Sequence, residues 1–320
     1  LKVQVFEPLE ELKISKEIQK IGSITDHISQ KVRSQYEENP YPKWKSQSSF
    51  KASKSSAIVL INNDIKPNSI SSNLESNPLK VLIAGCGTGI QIVDAQKYRN
   101  AQITAIDISL SSLSYAQRKI NEHGIRNVGL IQMDILEVSL LEEKFDIIEC
   151  GGVLHHMEDP SKGLKGLLGV LKNTGFIKLG LYSDLARTEI IKAREYIKTQ
   201  NIQSDEKNIR NFRQQVMSGD LKDLNSLKAF KDFYSLSECR DLCFHTQEHR
   251  FTIKQLIEIL QSNELKFLGF LLPQPIKSLY KNFFPEDHLQ TNLQNWAKLE
   301  QKHPNTFSAM YQFWACKTNN

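Results

Sequence analysis

The chain has 320 residues, of which 40% are hydrophobic and 24% charged, and its formal net charge is +5. This composition is typical of a soluble globular protein, and no apolar run reaches the ~20 residues of a membrane span. The charges are interspersed, without the basic tract of many nucleic-acid-binding proteins, so we expect no nucleic-acid partner. The 5 cysteines include no C-x-x-C pair, which favours a reducing, cytoplasmic location and argues against a zinc ribbon.

The first 45 residues predict a helical segment that runs into extended chain. Apolar residues recur at helical spacing through residues 1–35. The motif QYEENPYPKW follows, and its prolines, Pro40 and Pro42, enforce extended backbone. Residues 46–78 are rich in Ser and Asn and predict a flexible loop, with AIVLI as one short strand. The chain begins with Leu1 rather than Met, so we expect further sequence upstream.

Strands and helices alternate regularly from residue 79 to 182. The strand candidates are KVLIA, QITAID, VGLIQ, FDIIEC and GFIKLGLY. Helical segments are predicted between them at 90–98, 111–123 and 160–172. This alternation predicts a parallel sheet covered on both faces, and right-handed crossovers make it a doubly wound α/β sheet.

The pattern changes after Tyr182. Residues 183–250 lack strand signals and predict a helical insertion, which we interpret as a substrate-binding lid. FTIKQLIEILQSNELKFLGFLL then restores a helix and a strand, and Thr252 and Gln255 have capping-box spacing at its start. Residues 251–320 thus complete the core, with a second helical insertion at 276–306 before the last strand candidate, MYQFWACK.

The run VLIAGCGTGI indicates a nucleotide-binding turn, because a strand leads directly into Gly85, Gly87 and Gly89. The spacing G-x-G-x-G differs from the G-x-G-x-x-G of NAD sites, which makes NAD the less favoured ligand. Asp107 ends the next strand, where a carboxylate accepts ribose hydroxyls in NAD and S-adenosylmethionine (SAM) sites alike. The third strand leads into QMDI, which offers apolar side chains and a carboxylate to an adenine.

Together, VLIAGCGTG, AID, QMDI, FDIIECGGVLHHMEDP and GFIKLGLY resemble, in this order, the class I SAM-dependent methyltransferases. The resemblance implies SAM as cofactor and a Rossmann-like doubly wound sheet of seven strands, with the last strand antiparallel. It implies cofactor contacts at Tyr36, Gly85, Cys86, Gly87, Gly89, Asp107, Ile108, Met133, Asp134, Ile135, Cys150 and Gly151. One position departs from the family: Ile83 stands where an acidic residue is usual, so Asp94 or the N-terminal segment must hold the methionine amino group.

Three further motifs narrow the resemblance. QYEENPYPKW, DFYSLSECRDLCFHTQEHRFT and TFSAMYQFWACK resemble a bacterial subgroup that includes tetratricopeptide-fused members and rickettsial-type enzymes that methylate protein lysines. The resemblance covers about residues 20–320 and implies a protein-lysine methyltransferase, with a repeat domain upstream of Leu1. A small-molecule methyltransferase and a non-catalytic SAM-binding partner module remain as alternatives.

The acceptor site is expected at the edge of the sheet where open α/β sheets bind ligands. His155 and His156 follow the fourth strand there, and we predict that His155 lines the methyl-transfer pocket. Glu248 is the second predicted catalytic residue, since it or Glu149 can bind an ammonium group. The expected substrate-side residues are Tyr41, Tyr182, Asp232, Tyr234, His245, His249 and Arg250.

Two other functions are less favoured. Methylation of DNA bases is one. NPYP at 39–42 differs in order from the NPPY of amino-directed nucleic-acid methyltransferases, and it precedes the glycine turn, whereas such a motif would follow the fourth strand. His245, Glu248 and His249 match the zinc-binding pattern H-x-x-E-H, which requires one continuous helix. Here a helix is predicted to end near His245 and another to begin at Thr252, so the motif falls in a connection and we expect no metal.

Overall fold

The centre of the molecule is a single β-sheet. The computed structural model describes residues 1–44, 53–72, 74 and 77–318. The strands are β1 (Gln19–Lys20), β2 (Leu79–Ala84), β3 (Ala101–Asp107), β4 (Val128–Gln132), β5 (Phe145–Gly151), β6 (Leu171–Tyr182), β7 (Leu265–Phe270) and β8 (Met310–Lys317). Their order in the sheet is β1-β4-β3-β2-β5-β6-β8-β7.

Strand directions confirm the predicted architecture. Strand β8 is antiparallel to both β6 and β7, whereas the other neighbouring strands pair in parallel. The sheet has one strand more than the seven expected. The additional strand, β1, lies in the segment predicted as helical and pairs with Ile131 and Gln132 of β4. Its backbone satisfies part of the edge that β4 would otherwise leave unpaired.

Helices cover both faces of this sheet. They are α1 (Glu7–Ile14), α2 (His27–Glu38), α3 (Ala57–Ile65), α4 (Ile90–Asp94), α5 (Leu110–Glu122), α6 (Pro160–Val170), α7 (Thr188–Thr199), α8 (Glu206–Ser218), α9 (Leu236–Phe244), α10 (Ile253–Ser262), α11 (Gln274–Phe283) and α12 (Leu293–Lys302). A π-helical turn precedes α1 at Lys2–Phe6. Short 3-10 turns lie at Ala95–Lys97, Ile135–Leu141, Leu154–His156, Leu185–Arg187, Lys222–Ala229, Lys231–Phe233 and Pro304–Thr306. Among the described residues, no helix combines the length and apolar character that crossing a membrane requires.

Alternate residues of β2 show how the two cores arise. Leu82 and Ala84 belong to the core on one face of the sheet, and Val81 and Ile83 belong to the core on the other face. All four side chains are buried, as expected for a strand covered on both faces. The helical insertion has a third core of its own, in which Phe212 packs edge-on against Phe233 and Phe244.

The predicted strand AIVLI is wrong, because this sequence begins helix α3. The Ser56 hydroxyl caps the helix by accepting the Val59 N–H. Ala57, Ile61 and Ile65 are buried and recur every fourth residue, whereas Val59 is exposed. The five apolar letters alone do not distinguish a helix from a strand, and the continuation to Ile65 decides it. Residues 46–52, 73 and 75–76 of the predicted loop lie outside the described residues.

The ends of α9 and α10 confirm two local predictions. Helix α9 ends at Phe244, and α10 begins at Ile253 after a complete capping box between Thr252 and Gln255. The H-x-x-E-H motif therefore lies in the connection between two helices. The two histidines of the motif are therefore not placed on one face of a helix, as the zinc-binding pattern requires.

A pair of substitutions tests the helical assignment of α3. We expect Ile61→Ala to lower the free energy of unfolding by about 2–5 kcal/mol, because its side chain is fully buried. Val59→Ala should change it by no more than about 0.5 kcal/mol, because Val59 is half exposed. In a strand, these two residues would share a face and cost similar amounts. Urea unfolding of both variants distinguishes the two structures, and equal losses would contradict a helix.

Candidate active site

A cavity of ≈ 290 Å³ opens at the carboxyl ends of the central strands. Open α/β sheets bind ligands at this edge. Three parts of the chain form its walls, namely the strand ends, α2 with the segment after it, and the helical insertion. The residues that line it are Ser29, Val32, Tyr36, Tyr41, Pro42, Gly85, Cys86, Gly87, Ile90, Gln91, Asp107, Ile108, Ser112, Met133, Asp134, Ile135, Gly151, Gly152, Val153, His156, Met157, Tyr182, Asp241 and Met310.

The glycine turn after β2 forms the floor of the cavity. Gly85 and Gly87 have φ of +74° and +51°, which favours glycine. A Cβ on Gly85 would clash with Val153, and one on Gly87 would lie 3.1 Å from the Tyr41 carbonyl oxygen. Gly89 does not line the cavity. It has φ +89° and begins α4 where a Cβ would lie 2.8 Å from Ala116, so this glycine serves helix packing.

Asp107 joins the end of β3 to the glycine turn. Its Oδ2 accepts the Gly87 N–H at 2.8 Å, and its Oδ1 accepts the Ser109 N–H at 2.9 Å. Burial raises the pKa of the Asp107 carboxyl to about 6, although these N–H groups act in the opposite direction. Each carboxylate oxygen keeps a further lone pair. The carboxylate can therefore hold both hydroxyls of a ribose at the cavity wall.

The ends of β3 and β4 form an apolar slot with polar groups at its edge. Ile108, Met133 and Ile135 line the slot. Asp134 accepts the Leu136 N–H through Oδ1 at 3.0 Å, and burial raises the pKa of its carboxyl. Sequence reasoning missed the hydroxyl of Ser112 on α5, which lines the cavity, is buried, and has no hydrogen-bond partner within the described part of the chain. This orphaned hydroxyl fits a polar ligand group, so the slot suits an adenosine.

Position 83, where the methyltransferases usually have an acidic residue, is not accessible to a ligand in the cavity. Ile83 is fully buried in the core below the turn and does not line the cavity. Asp94, one of the two suggested replacements, does not line it either. Tyr41 and Pro42 do line it, so of the two alternatives the N-terminal segment is the one that faces a bound ligand.

Residues 27–44, which we call the strap, are fastened to the core. The Glu37 carboxylate accepts the Leu110 and Ser111 N–H groups at 2.8 and 3.0 Å, and the Ser111 hydroxyl at 2.6 Å. A carboxylate at the N-terminus of α5 is electrostatically favourable. At the other end of the strap, the Thr88 hydroxyl donates to the Pro42 carbonyl, and the Trp44 indole donates to the Thr88 carbonyl. The strap therefore closes one side of the cavity.

The strap also contacts the helical insertion. The Tyr36 hydroxyl donates to Oδ1 of Asp241 on α9 at 2.6 Å. The Tyr41 hydroxyl donates to Oδ2 of Asp232 at 3.3 Å. Burial raises the pKa of the Asp241 carboxyl to about 6, and no salt bridge reaches this carboxylate from the described residues. Asp241 was absent from the sequence-based site, although it lies on α9 four residues before His245, a spacing that brings side chains together in a helix.

Two stacked histidines lie beside Asp241. The His156 ring lines the cavity and stacks on the His245 ring, with centroids 3.6 Å apart. His156 Nδ1 lies 2.7 Å from the Gln247 carbonyl oxygen, so this nitrogen carries the proton and Nε2 keeps its lone pair. Burial lowers the pKa of His156 to about 4 and that of His245 well below its ordinary value. Both rings are therefore neutral at pH 7.

His156, Asp241 and His245 could together present metal ligands, because one ligand atom of each lies within 4.8 Å of the others. The hydrogen bonds argue against this use. His245 Nδ1 accepts the Gln247 N–H at 3.2 Å, which places the proton of the neutral ring on Nε2. That N–H faces the Tyr36 hydroxyl oxygen at 3.2 Å. The arrangement favours a hydrogen-bonded network over a metal centre.

The two residues predicted as catalytic do not line the cavity. His155 is fully buried, and its ring stacks on Tyr182 with centroids 3.6 Å apart. Neither of its ring nitrogens has a partner in the described ranges. The Arg187 guanidinium covers the other face of Tyr182 at 3.8 Å. Glu248 is fully buried and accepts two hydrogen bonds from Arg187, at 3.0 and 2.6 Å, so both predicted residues support Tyr182 from behind.

Other predicted site residues also lie outside the cavity lining. Cys150 is buried in the core, and Glu149 is bound to Lys178 and Tyr98. Tyr234 is exposed and donates to the Lys228 carbonyl. The rest make contacts elsewhere: Asp232 with Tyr41, His245 with Tyr36, His249 Nε2 near the Met157 and Glu158 carbonyls, and Arg250 with Asp184. The cofactor-side predictions at Tyr36, Gly85, Cys86, Gly87, Asp107, Ile108, Met133, Asp134, Ile135 and Gly151 all fall on the lining.

Comparison with known proteins identifies the family. Residues 75–261, more than half of the chain, match the methyltransferase domain family. An uncharacterized protein of Synechococcus is 33% identical over 205 residues, which are 60% of this chain and 48% of that protein. The ubiquinone biosynthesis O-methyltransferase of Histophilus somni is 30% identical over 113 residues, 34% of this chain and 46% of that enzyme. The chain thus spans about half the length of the curated relatives it matches.

A solved structure is similar in fold over most of the chain. PKMT2 from Rickettsia typhi, also solved in complex with AdoHcy, matches 88% of this chain and 55% of its own, with 19% identity and a TM-score of 0.61. This confirms, at the level of the fold, the resemblance to rickettsial-type enzymes. The cavity at the strand ends and the position of Asp107 within it suit an adenosine ligand, as the family match leads one to expect. The chain belongs to the methyltransferase domain family, with SAM as its cofactor.

Proposed function

We propose that the chain transfers a methyl group from SAM to an amine, and that the acceptor is a lysine side chain of a protein. One observation carries the choice of an amine. The carboxylate of Asp241 lies buried at the cavity, next to the aromatic rings of Tyr36, Tyr41 and Tyr182. A buried carboxylate without a salt bridge is costly, and aromatic faces attract ammonium groups. Lysine as the source of the amine follows from the resemblance to the rickettsial-type enzymes.

The cofactor end of the cavity is built by the strand ends. Asp107 would hold the ribose hydroxyls, and Asp134 would accept from the exocyclic amine of the adenine. Ile108 and Met133 would cover the faces of the adenine, and Ser112 offers a hydroxyl whose hydrogen bonds are unused in the described structure. When bound, SAM would supply a sulfonium methyl group that a nucleophile attacks, with S-adenosylhomocysteine as the leaving group.

The acceptor end must bind an ammonium and then release an amine lone pair. Asp241 would pair with the ammonium, held in place by the hydroxyl of Tyr36. His156 presents the lone pair of Nε2 to the same cavity, because Gln247 fixes the proton on Nδ1. This lone pair would accept an N–H of the amine and orient it. Of the two groups Asp241 has the higher pKa, about 6 against about 4, and is the better proton acceptor.

Tyr182 and the strap would complete the acceptor site by fixing its walls. The Tyr182 ring is held between the His155 ring and the Arg187 guanidinium, so it forms a rigid wall beside Asp241. The strap closes over the cavity through Glu37 and Tyr36. Exclusion of water strengthens the charge interactions inside. Rigid walls also help to hold the acceptor in line for attack.

The exchange of Asp241 for Asn tests the choice of an amine. We expect Asp241→Asn to raise the KM for an amine acceptor at least tenfold, because the neutral amide cannot pair with an ammonium. The affinity for S-adenosylhomocysteine should stay within about twofold, since Asp241 lies on the acceptor side. Steady-state kinetics with polylysine and n-butylamine, together with calorimetric titration of S-adenosylhomocysteine, measure both. Asp223→Asn, an exposed position on the same insertion, is the matched control.

The pH dependence supplies a second readout for Asp241. The pKa of the Asp241 carboxyl, about 6, lies above its ordinary value. As the pH falls through 6, the group becomes protonated and loses the negative charge that would bind the ammonium. At saturating cofactor, kcat/KM for the amine should fall below pH 6 in the wild type, and this limb should vanish in Asp241→Asn. An unchanged KM in the variant, or transfer to phenols but not to amines, would refute the amine assignment.

The two neighbouring histidines allow a sharp comparison. His155→Phe should keep activity within a few-fold of the wild type, because the ring stack on Tyr182 survives and both ring nitrogens lack partners in the described structure. His156→Phe should lower kcat at least 100-fold, since it removes the Nε2 lone pair from the cavity. Thermal unfolding confirms that both variants fold. If His155→Phe were the inactive variant, the assignment made from sequence would stand and this one would fall.

A further inference from the structure

A second cavity, of ≈ 440 Å³, lies in the helical insertion between α7 and the connection after α9. It shares no lining residue with the cofactor cavity. Three basic side chains line it, those of Arg194, Lys198 and Arg250, against one carboxylate, Glu195. Methyl transfer as proposed above makes no use of this cavity.

Arg194 and Arg250 belong to a cluster in which the guanidinium groups outnumber the carboxylates that can pair with them. Glu248 is fully buried and already accepts two hydrogen bonds from Arg187. Arg194 Nη1 and Arg250 Nη1 lie 3.9 and 3.7 Å from the same carboxylate. Asp184 gives Arg250 a second partner at 3.2 Å. Three guanidinium groups thus surround one buried carboxylate, and Arg194 is the one with the weakest share of it.

Arg194 is the guanidinium in this cluster that is paired least closely, because its nearest carboxylate oxygen, on Glu248, lies 3.9 Å away. Its Nη2 donates to the His245 carbonyl at 2.8 Å, but Nη1 is buried and has no acceptor among the described residues. Burial lowers the pKa of this guanidinium, and the charges of Arg187 and Arg250 lower it further, although Glu248 acts in the opposite direction. A partly buried guanidinium with so long an ion pair and one buried N–H without an acceptor would be stabilised by a closer anion.

We propose that the second cavity binds a small oxyanion of the phosphate class, held by Arg194 together with Lys198 and Arg250. Planar guanidinium groups match the oxygens of such an anion in pairs. Lys198 is exposed at the rim, and the hydroxyl residues Ser204 and Thr246 also line the cavity. The anion would give Arg194 a closer negative partner than Glu248, which Arg187 and Arg250 share.

Thermal unfolding of the full chain, without cofactor, tests the proposal. Phosphate should raise the melting temperature of the wild type by a few degrees at saturation, relative to chloride at equal ionic strength. Arg194→Met should lose this response. In chloride alone the variant should be about as stable as the wild type, because the pair with Glu248 is long and the buried Nη1 has no acceptor among the described residues. Arg210→Met, an exposed residue paired only with Glu206 within α8, is the control and should respond as the wild type does.

Three results would overturn the proposal. They are the absence of a phosphate response in the wild type, an equal response in Arg194→Met, and a large loss of stability in chloride, or failure to fold, on the same substitution. Lys198→Met provides an independent check at an exposed site and should weaken the phosphate response at least threefold in apparent affinity. A response to acetate that exceeds the response to phosphate would contradict the phosphate class. Since no arm measures methyl transfer, failure here leaves the amine assignment unaffected.

Discussion

The hydrogen bond from the Tyr36 hydroxyl to the Asp241 carboxylate connects the three parts that form the active site. Tyr36 lies on the strap, which Glu37 fastens to the N-terminus of α5 in the core. Asp241 lies on α9 of the helical insertion, which has a core of its own. The bond thus closes the cavity over the sheet and leaves a buried carboxylate facing the space that we propose for the acceptor. Both the proposed choice of acceptor and the exclusion of water depend on it.

The cofactor half of this site is readable from the sequence because it follows from local rules. A parallel strand that ends in Asp107 places that carboxylate at the binding edge whatever the rest of the chain does. The glycine turn obeys the same logic, since Gly85 and Gly87 adopt positive φ beneath Val153 and Tyr41. These two predictions needed the order of strands and helices, which hydrophobic periodicity supplies, and the residue types at the strand ends. The other predicted cofactor contacts came from the resemblance to the SAM-dependent methyltransferases.

The acceptor half could not be read in this way, because distant segments build it. His155 and His156 are neighbours in one 3-10 turn, and only packing against Tyr182 decides which ring reaches the cavity. Glu248 looked catalytic as an acid in a polar motif, yet Arg187, 61 residues away in sequence, neutralises it. The buried ion pair of Arg187 and Glu248 therefore holds the Tyr182 ring in position. Two further arginines of this cluster, Arg194 and Arg250, line the second cavity.

Methyl transfer itself is the most direct test of the account. The full chain should be incubated with SAM and an equimolar panel of polylysine, n-butylamine and a simple phenol, and the products followed by mass spectrometry. The account predicts addition of methyl groups to the amines, and at least tenfold less of this product in Asp241→Asn at amine concentrations below the KM. Methylation of the phenol alone would contradict an amine acceptor. Tight binding of S-adenosylhomocysteine without any methylated product would contradict catalysis on this panel and favour a cofactor-binding module.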